Sequence, residues 1–262
     1  MNKILILGHK GMLGDAVFRY FRKNKNFAVI TIEERWPGQD FKGKITTLDA
    51  DLIINCIGKI PQKKPTRYAY KIVNYDLPIF LETLGVPVIH PSTDCEFSGL
   101  LEVGKKYSKT DIRDADDEYG KSKALISKMI EDEFLNTKII RTSIIGHEKV
   151  SSNSLLEWFL LQDEEVSGYN NHYWNGITTL EWAKIAEKII LNWDFYTVLN
   201  QFSCKECLSK YQVLCLIKKV YKKNIIITPF LTPQTINKCL ESDEPLPDLR
   251  SQLSDLYEFY KC

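Results

Sequence analysis

Tyr119-Gly-Lys-Ser-Lys123 sets a tyrosine and a lysine four positions apart, and Ser92-Thr93-Asp94 lies upstream of them. On a helix the two side chains share one face. A free phenol titrates near about 10 and a lysine ammonium near about 10.4, so the phenol alone is a poor proton donor at neutral pH. An ammonium beside it stabilises the phenolate and lowers its pKa toward the working range. Read this way, the pair is a general acid that protonates a carbonyl oxygen as hydride arrives at the carbon. Thr93 would hydrogen-bond the same oxygen. The Y-x-x-x-K spacing also occurs by chance on exposed helix faces, and its weight here comes from its neighbours.

The amino terminus supplies the first of these. Lys3-Ile-Leu-Ile-Leu7 is a short apolar run of the kind that forms a buried parallel strand. Gly8-His-Lys10-Gly11-Met12-Leu13-Gly14 follows at once, and a helical pattern opens at Asp15. Glycines at a strand-to-helix turn let the backbone bend and approach a pyrophosphate, which rests against free helix N–H groups. The spacing is G-x-x-G-x-x-G rather than the G-x-G-x-x-G of standard dinucleotide dehydrogenases. A bulkier residue at Gly11 or Gly14 is expected to weaken dinucleotide binding and leave the fold largely intact.

Four further apolar runs, at 27–32, 51–57, 86–90 and 138–145, alternate with helical patterns at 66–84 and 118–135. This alternation predicts an α/β, Rossmann-type doubly wound parallel sheet with ligands at the carboxyl ends of its strands. Gly8, Gly58 and 92–94 all follow strand ends and converge on one rim. Beyond residue 145 the pattern changes. Serines from Ser151 onward precede an apolar helix reaching Leu161, and Thr178-Thr-Leu-Glu181 reads as a capping box opening a helix at 180–191. A strand after Trp193, a helix over 210–222 and a tail with Pro245 and Pro247 complete the chain. The expected division is a dinucleotide-binding domain over 1–145, with 172–194 packing back on it. Residues 146–171 and 195–262 form a small C-terminal substrate-binding lobe.

Composition fits an enzyme of this kind. The 262 residues are 44% hydrophobic with a net charge of +1, which suits neither disorder nor a general nucleic-acid binder. No apolar run is long enough to span a membrane, and Met1-Asn-Lys leads into a strand rather than a signal peptide. Seven scattered cysteines read as reduced thiols in the cytoplasm. Cys204-Lys-Glu-Cys207 is a lone C-x-x-C without a second pair, so no metal site is expected.

Taken together, the chain resembles an extended short-chain dehydrogenase/reductase, most of all the dTDP-4-dehydrorhamnose reductase group of nucleotide-sugar enzymes. The resemblance runs from Gly8/Gly11/Gly14 through Asn55-Cys56-Ile57-Gly58 and Val73-Asn74 to Ser92–Gly99, Tyr119–Lys123 and Arg141-Thr-Ser. Trp174-Asn-Gly-Ile-Thr-Thr and Ser209-Lys-Tyr211 match more loosely. It implies a catalytic trio of Thr93, Tyr119 and Lys123, with Asn74 supporting the active-site helix and Lys123 also binding the nicotinamide ribose. Asp94, Asn153 and Trp174 would contact the substrate, a UDP- or dTDP-linked 4-keto-6-deoxy sugar, in a monomer or homodimer. Glu33 would favour NADH, while Arg35 and Lys10 would accommodate the phosphate of NADPH; a biosynthetic reductase draws on NADPH, with NADH the alternative. Cys95 occupies the position of an epimerase acid/base in GDP-fucose synthase and plant UDP-rhamnose synthases. Their second group falls near 152–158, where this chain offers only Glu157, with His147 and Lys149 nearby. A bifunctional epimerase/reductase is therefore one alternative. A regulatory protein like the methionine adenosyltransferase regulatory subunit is another.

Overall fold

The computed structural model describes residues 2–149 and 152–261. A six-stranded parallel sheet runs through it in the order β10-β5-β4-β3-β1-β2. The strands are β1 (Asn2–Leu7), β2 (Phe27–Thr31), β3 (Leu52–Asn55), β4 (Val88–Ser92), β5 (Thr137–Arg141) and β10 (Leu199–Gln201). The two faces of β1 explain the layering. Ile4 and Ile6 join one core with α1 (Met12–Lys23) and α7 (Thr179–Leu191), whereas Leu5 and Leu7 join another with α2 (Gln39–Thr47) and α4 (Leu77–Glu82). A strand buried on both faces needs apolar residues at successive positions, which is why this run shows no alternation.

α1 is set by local chemistry. Leu13, Ala16, Val17 and Phe21 recur at helical spacing and are buried, with Asp15 in the first turn and Arg22 and Lys23 in the last. α5 (Glu118–Glu133) starts at Asp117, whose carboxylate accepts from the Gly120 N–H. Its Ile126 and Ile130 pack on Ile139 of β5. The helical pattern at 66–84 divides into α3 (Arg67–Tyr70), a π-helical segment (Lys71–Asp76) and α4.

The remaining elements are small. They comprise β6 (Ile144–Ile145), α6 (Leu155–Leu160), β7 (Glu165–Tyr169), β8 (His172–Trp174), β9 (Ile177–Thr178), β11 (Leu208–Ser209), α8 (Lys210–Val220), β12 (Ile226–Phe230), β13 (Ile236–Asn237) and α9 (Leu249–Lys261). They pair as β11-β8-β13, β12-β7 and β6-β9. Ser154 caps α6; Ser151 lies outside the described residues.

Two local expectations need correction. Thr178 does cap α7, accepting from Glu181 N, but the Glu181 carboxylate pairs with Lys184 and the Thr178 N–H donates to Gln252 Oε1 at 3.0 Å. The reciprocal capping box is found instead at Ser209 and Gln212. The proline-containing tail continues into α9, which buries Leu249, Leu253 and Leu256. Among the described residues no helix is long and apolar enough to cross a membrane.

Candidate active site

The order β2-β1-β3 places a topological switch between β1 and β3, and all six carboxyl ends face one rim. Gly8 leaves β1 with φ +75°, a left-handed conformation that favours glycine. A Cβ on it would come within 2.9 Å of Ile57 Cγ1 and 3.0 Å of the Cys56 carbonyl, so the segment after β3 presses against the loop. Gly11 offers α1 no capping side chain. The first-turn N–H groups around Met12, Leu13 and Gly14 therefore open onto a cradle that fits a pyrophosphate.

The glycines are not equivalent. A Cβ on Gly14 would lie 2.1 Å from Gly8 O and 2.9 Å from His9 Cα, both backbone atoms, whereas one on Gly11 would meet only Gly8 O at 3.4 Å. The expected fold-neutral behaviour thus applies to Gly11 alone. Gly14→Ala is predicted to destabilise the fold by about 2 kcal/mol through overpacking. Gly11→Val should leave the melting temperature near wild type and weaken dinucleotide binding by roughly tenfold or more, since its side chain enters the cradle. Thermal melts and calorimetry on the two variants check both outcomes.

Just past β2, Glu33 forms an ion pair with Lys10, and its other carboxylate oxygen lies 3.3 Å from His9 Nε2. Lys10, named as a candidate phosphate ligand, is thus joined to the candidate ribose ligand across the loop. Lys10 chiefly, through its hydrogen bond, holds the Glu33 carboxyl below its usual range. Arg35 is exposed, as is Gly58 after β3.

Thr93 and Tyr119 come together on the rim, where the Thr93 hydroxyl acts on the Tyr119 phenol, favouring its ionised form against the effect of burial. Thr93 Oγ1 also donates to Asp94 Oδ1 at 3.0 Å and accepts from Cys95 N at 3.1 Å. Asn74 sits in the π-helical segment. It accepts from Lys59 N at 2.8 Å and donates to Ser122 Oγ of α5 at 3.2 Å.

Lys123 departs from expectation. Its ammonium nitrogen donates to Pro91 O at 2.7 Å and lies 3.3 Å from His90 Nε2. Burial, followed by the neighbouring Cys95, raises the Tyr119 pKa, the opposite of the expected lowering. The reason is direction: the lysine side chain turns inward toward β4, while desolvation acts on the phenol directly. Tyr119 is consequently kept as a neutral phenol, the form a proton donor requires.

Cys95 is likewise pushed up, to about 12, by burial and then by the Asp94 carboxylate. Of its candidate partners, His147 and Glu157 bond each other at 2.6 Å, and Tyr221 OH lies 2.9 Å from the other His147 ring nitrogen. Lys149 pairs with Asp15 at 2.7 Å. Trp174 is buried on β8 with Lys210 Nζ 4.8 Å above its ring; burial lowers the Lys210 pKa, and nearby Asp94 and Cys95 oppose that lowering. The backbone N–H of Asn153 donates to Glu148 Oε2 at 2.9 Å. Lys210 and His90 escaped the sequence reading. Lys210 lies in the quoted Ser209-Lys-Tyr211, whereas His90 ends an apolar run and looks like a core residue.

Below this rim lies a buried ion cluster. Glu96 Oε2 is 2.8 Å from Arg113 Nε and 2.7 Å from Arg141 Nη2, contacts ionic in distance but not aligned as hydrogen bonds. Its other oxygen accepts from Ser92 and from Ser127 of α5.

The doubly wound sheet, glycine turn and Thr/Tyr pair define a Rossmann-type fold with a rim fitted for a dinucleotide. The chain belongs to the family described as RmlD substrate binding domain, whose model matches residues 1–256. Among solved structures it is similar to a dTDP-4-dehydrorhamnose reductase from Clostridium acetobutylicum, with a TM-score of 0.80 and 18% identity over 99% of this chain and 100% of that one. A dTDP-4-dehydrorhamnose reductase from Bacillus anthracis in complex with NADP gives 0.83 and 14% over 98% and 99%. A UDP-glucose 4-epimerase from Thermotoga maritima with UDP-glucose gives 0.76 and 15% over 99% and 98%. A search of curated proteins finds no significant match.

Proposed function

We propose that the protein is an NADPH-dependent reductase of a nucleotide-linked 4-keto-6-deoxy sugar, acting in deoxysugar biosynthesis. The observation that carries this reading is the Tyr119 phenol, held neutral by burial beside Thr93 on the rim that the glycine cradle also borders. Family membership and the NADP-bound reductase of the same fold support it. NADPH, when bound, supplies the hydride. Gly8, Gly11, Met12, Leu13 and Gly14 would hold its pyrophosphate, with Cys56, Ile57 and Gly58 bordering the cradle and Glu33, Lys10 and Arg35 near the adenosine ribose.

Tyr119 then donates its proton to the carbonyl oxygen, and Thr93 turns its hydroxyl from Asp94 to the same atom. Asn74 steadies α5 through Ser122, keeping the phenol in place. Lys123 would reach the nicotinamide ribose by leaving Pro91. Residues 1–145 with 172–194 would serve the cofactor. The lobe of 146–171 and 195–262 would serve the sugar nucleotide through Asn153, with Asp94 and Trp174 contributed by the cofactor-binding unit, while lending Leu199–Gln201 to the sheet. A cytoplasmic monomer or homodimer suits this role.

The epimerase alternative needs an acid/base on Cys95 and a second on the opposite face of the ring. The raised thiol and the mutual engagement of His147 and Glu157 both weigh against it. The test offers NADPH and NADH with UDP- and dTDP-4-keto-6-deoxy sugars in deuterated buffer. The expected result is loss of NADPH without deuterium beside the keto carbon, by absorbance and mass spectrometry. No cofactor loss with any sugar overturns the reductase reading. Deuterium uptake abolished by Cys95→Ser establishes the bifunctional enzyme and points to Glu157 or His147 as the second group.

A further inference from the structure

A buried histidine behind the rim has a tautomer fixed by its surroundings. Asn55 ends β3, His90 lies on β4 and Lys123 on α5, and all three side chains are buried. The Ile57 N–H donates to Asn55 Oδ1 at 3.0 Å. A backbone N–H has no acceptor role, so the amide oxygen must face it. The Asn55 NH2 group is thereby turned toward His90 Nδ1, 3.2 Å away. Nδ1 must accept, and in a neutral imidazole the ring proton then resides on Nε2. That N–H points at Lys123 Nζ, 3.3 Å away.

An ammonium has three hydrogens and no lone pair, so it cannot accept from this donor; a neutral amine can. A neutral Lys123 would use one hydrogen on Pro91 O and its lone pair on His90. We propose that His90, locked by Asn55 as the Nε2–H tautomer, is a positioning residue that favours the neutral amine of Lys123. It thereby sets the pH above which the rim loses its ammonium. The functional half of this inference rests on the reductase reading; the tautomer does not.

The surrounding groups agree. His90 is kept neutral, its pKa well below the usual value through burial and then the Lys123 charge. Burial lowers Lys123 to about 8, opposed by the Glu96 carboxylate. Glu96 is itself shared with Arg113 and Arg141. Tyr119, one turn away on α5, is an uncharged phenol, and Asn55 from β3 carries no charge. His90 adds to burial a specific donor that a merely apolar wall would lack.

The experiment reads the histidine first. Imidazole 15N spectra of the cofactor-free protein, with His90→Gln assigning one of the four histidines, should show His90 as the Nε2–H tautomer. Lysine side-chain 13C titrations then follow Lys123 in wild type, His90→Phe and Asn55→Asp. The first substitution removes the donor. The second accepts from Nδ1–H and so turns Nε2 into an acceptor. In both, the Lys123 midpoint should rise by about one pH unit or more, a roughly tenfold gain in proton affinity. The alkaline limb of kcat should move up with it. An Nδ1–H tautomer in wild type overturns the proposal even if neither variant folds. So does an unchanged Lys123 midpoint in both folded variants. A protein that reduces no sugar but shows the expected spectra would refute the reaction and leave the His90–Lys123 arrangement standing.

Discussion

Tyr119→Phe is expected to lower kcat by on the order of 100-fold or more, the loss associated with a positioned general acid. Phenylalanine keeps the ring that packs 6.0 Å from Tyr70, so the melting temperature should stay near wild type. Cofactor affinity should also hold, since the glycine cradle lies at the end of β1 and the phenol on α5. The pH profile supplies a second readout. Burial keeps the wild-type phenol protonated well beyond neutral pH, so Tyr119 itself should impose no alkaline limb. An alkaline fall belongs to Lys123, whose value of about 8 places the loss of its ammonium there. The residual activity of Tyr119→Phe should keep that limb. Near-normal turnover in stopped-flow or steady-state assays would remove Tyr119 from the chemistry and most of the case for reduction.

The rim was legible in the sequence because it depends on residue types that carry their own geometry. Glycines after a strand mark a backbone turn, and Tyr119 and Lys123 mark one helix face, whatever lies elsewhere. What those side chains do once buried was not legible. The direction of Lys123 depends on His90 from β4, whose orientation in turn depends on Asn55 from β3. No local pattern records a contact among three separate elements. His90 and Pro91 end an apolar run and read as core. The structure shows why proline is tolerated there: β3 pairs only with Val88 and Ile89, so Pro91 has β5 as its one neighbour. α2 was missed because its buried face is just Phe41 and Ile45, with Gly43 between them. α9 had a signal that the nearby prolines obscured. Asp248 caps it through the Ser251 N–H, and Leu249, Leu253 and Leu256 repeat at helical spacing.

Glu96→Gln should have the largest effect on stability. Glu96 and Arg141 are both fully buried, and Arg113 is nearly so. Removing one partner of a buried pair leaves an uncompensated charge, which costs about 3–5 kcal/mol. For a chain of this size that corresponds to a fall of roughly 10 °C in melting temperature. Glutamine preserves the shape and an oxygen for Ser92 and Ser127, so the loss reports charge rather than packing. Adding Arg141→Met to Glu96→Gln should recover part of it, because the stranded guanidinium is gone; a cycle of the two variants measures the coupling. Activity should respond as well, and with a definite sign. The Glu96 carboxylate raises the Lys123 pKa against the lowering by burial. Without it, Lys123 gives up its proton at lower pH, and the alkaline limb of kcat should move down, opposite to the shift expected of His90→Phe. A stable Glu96→Gln protein with an unmoved limb would mean that the cluster neither holds β4 against α5 nor acts on the lysine.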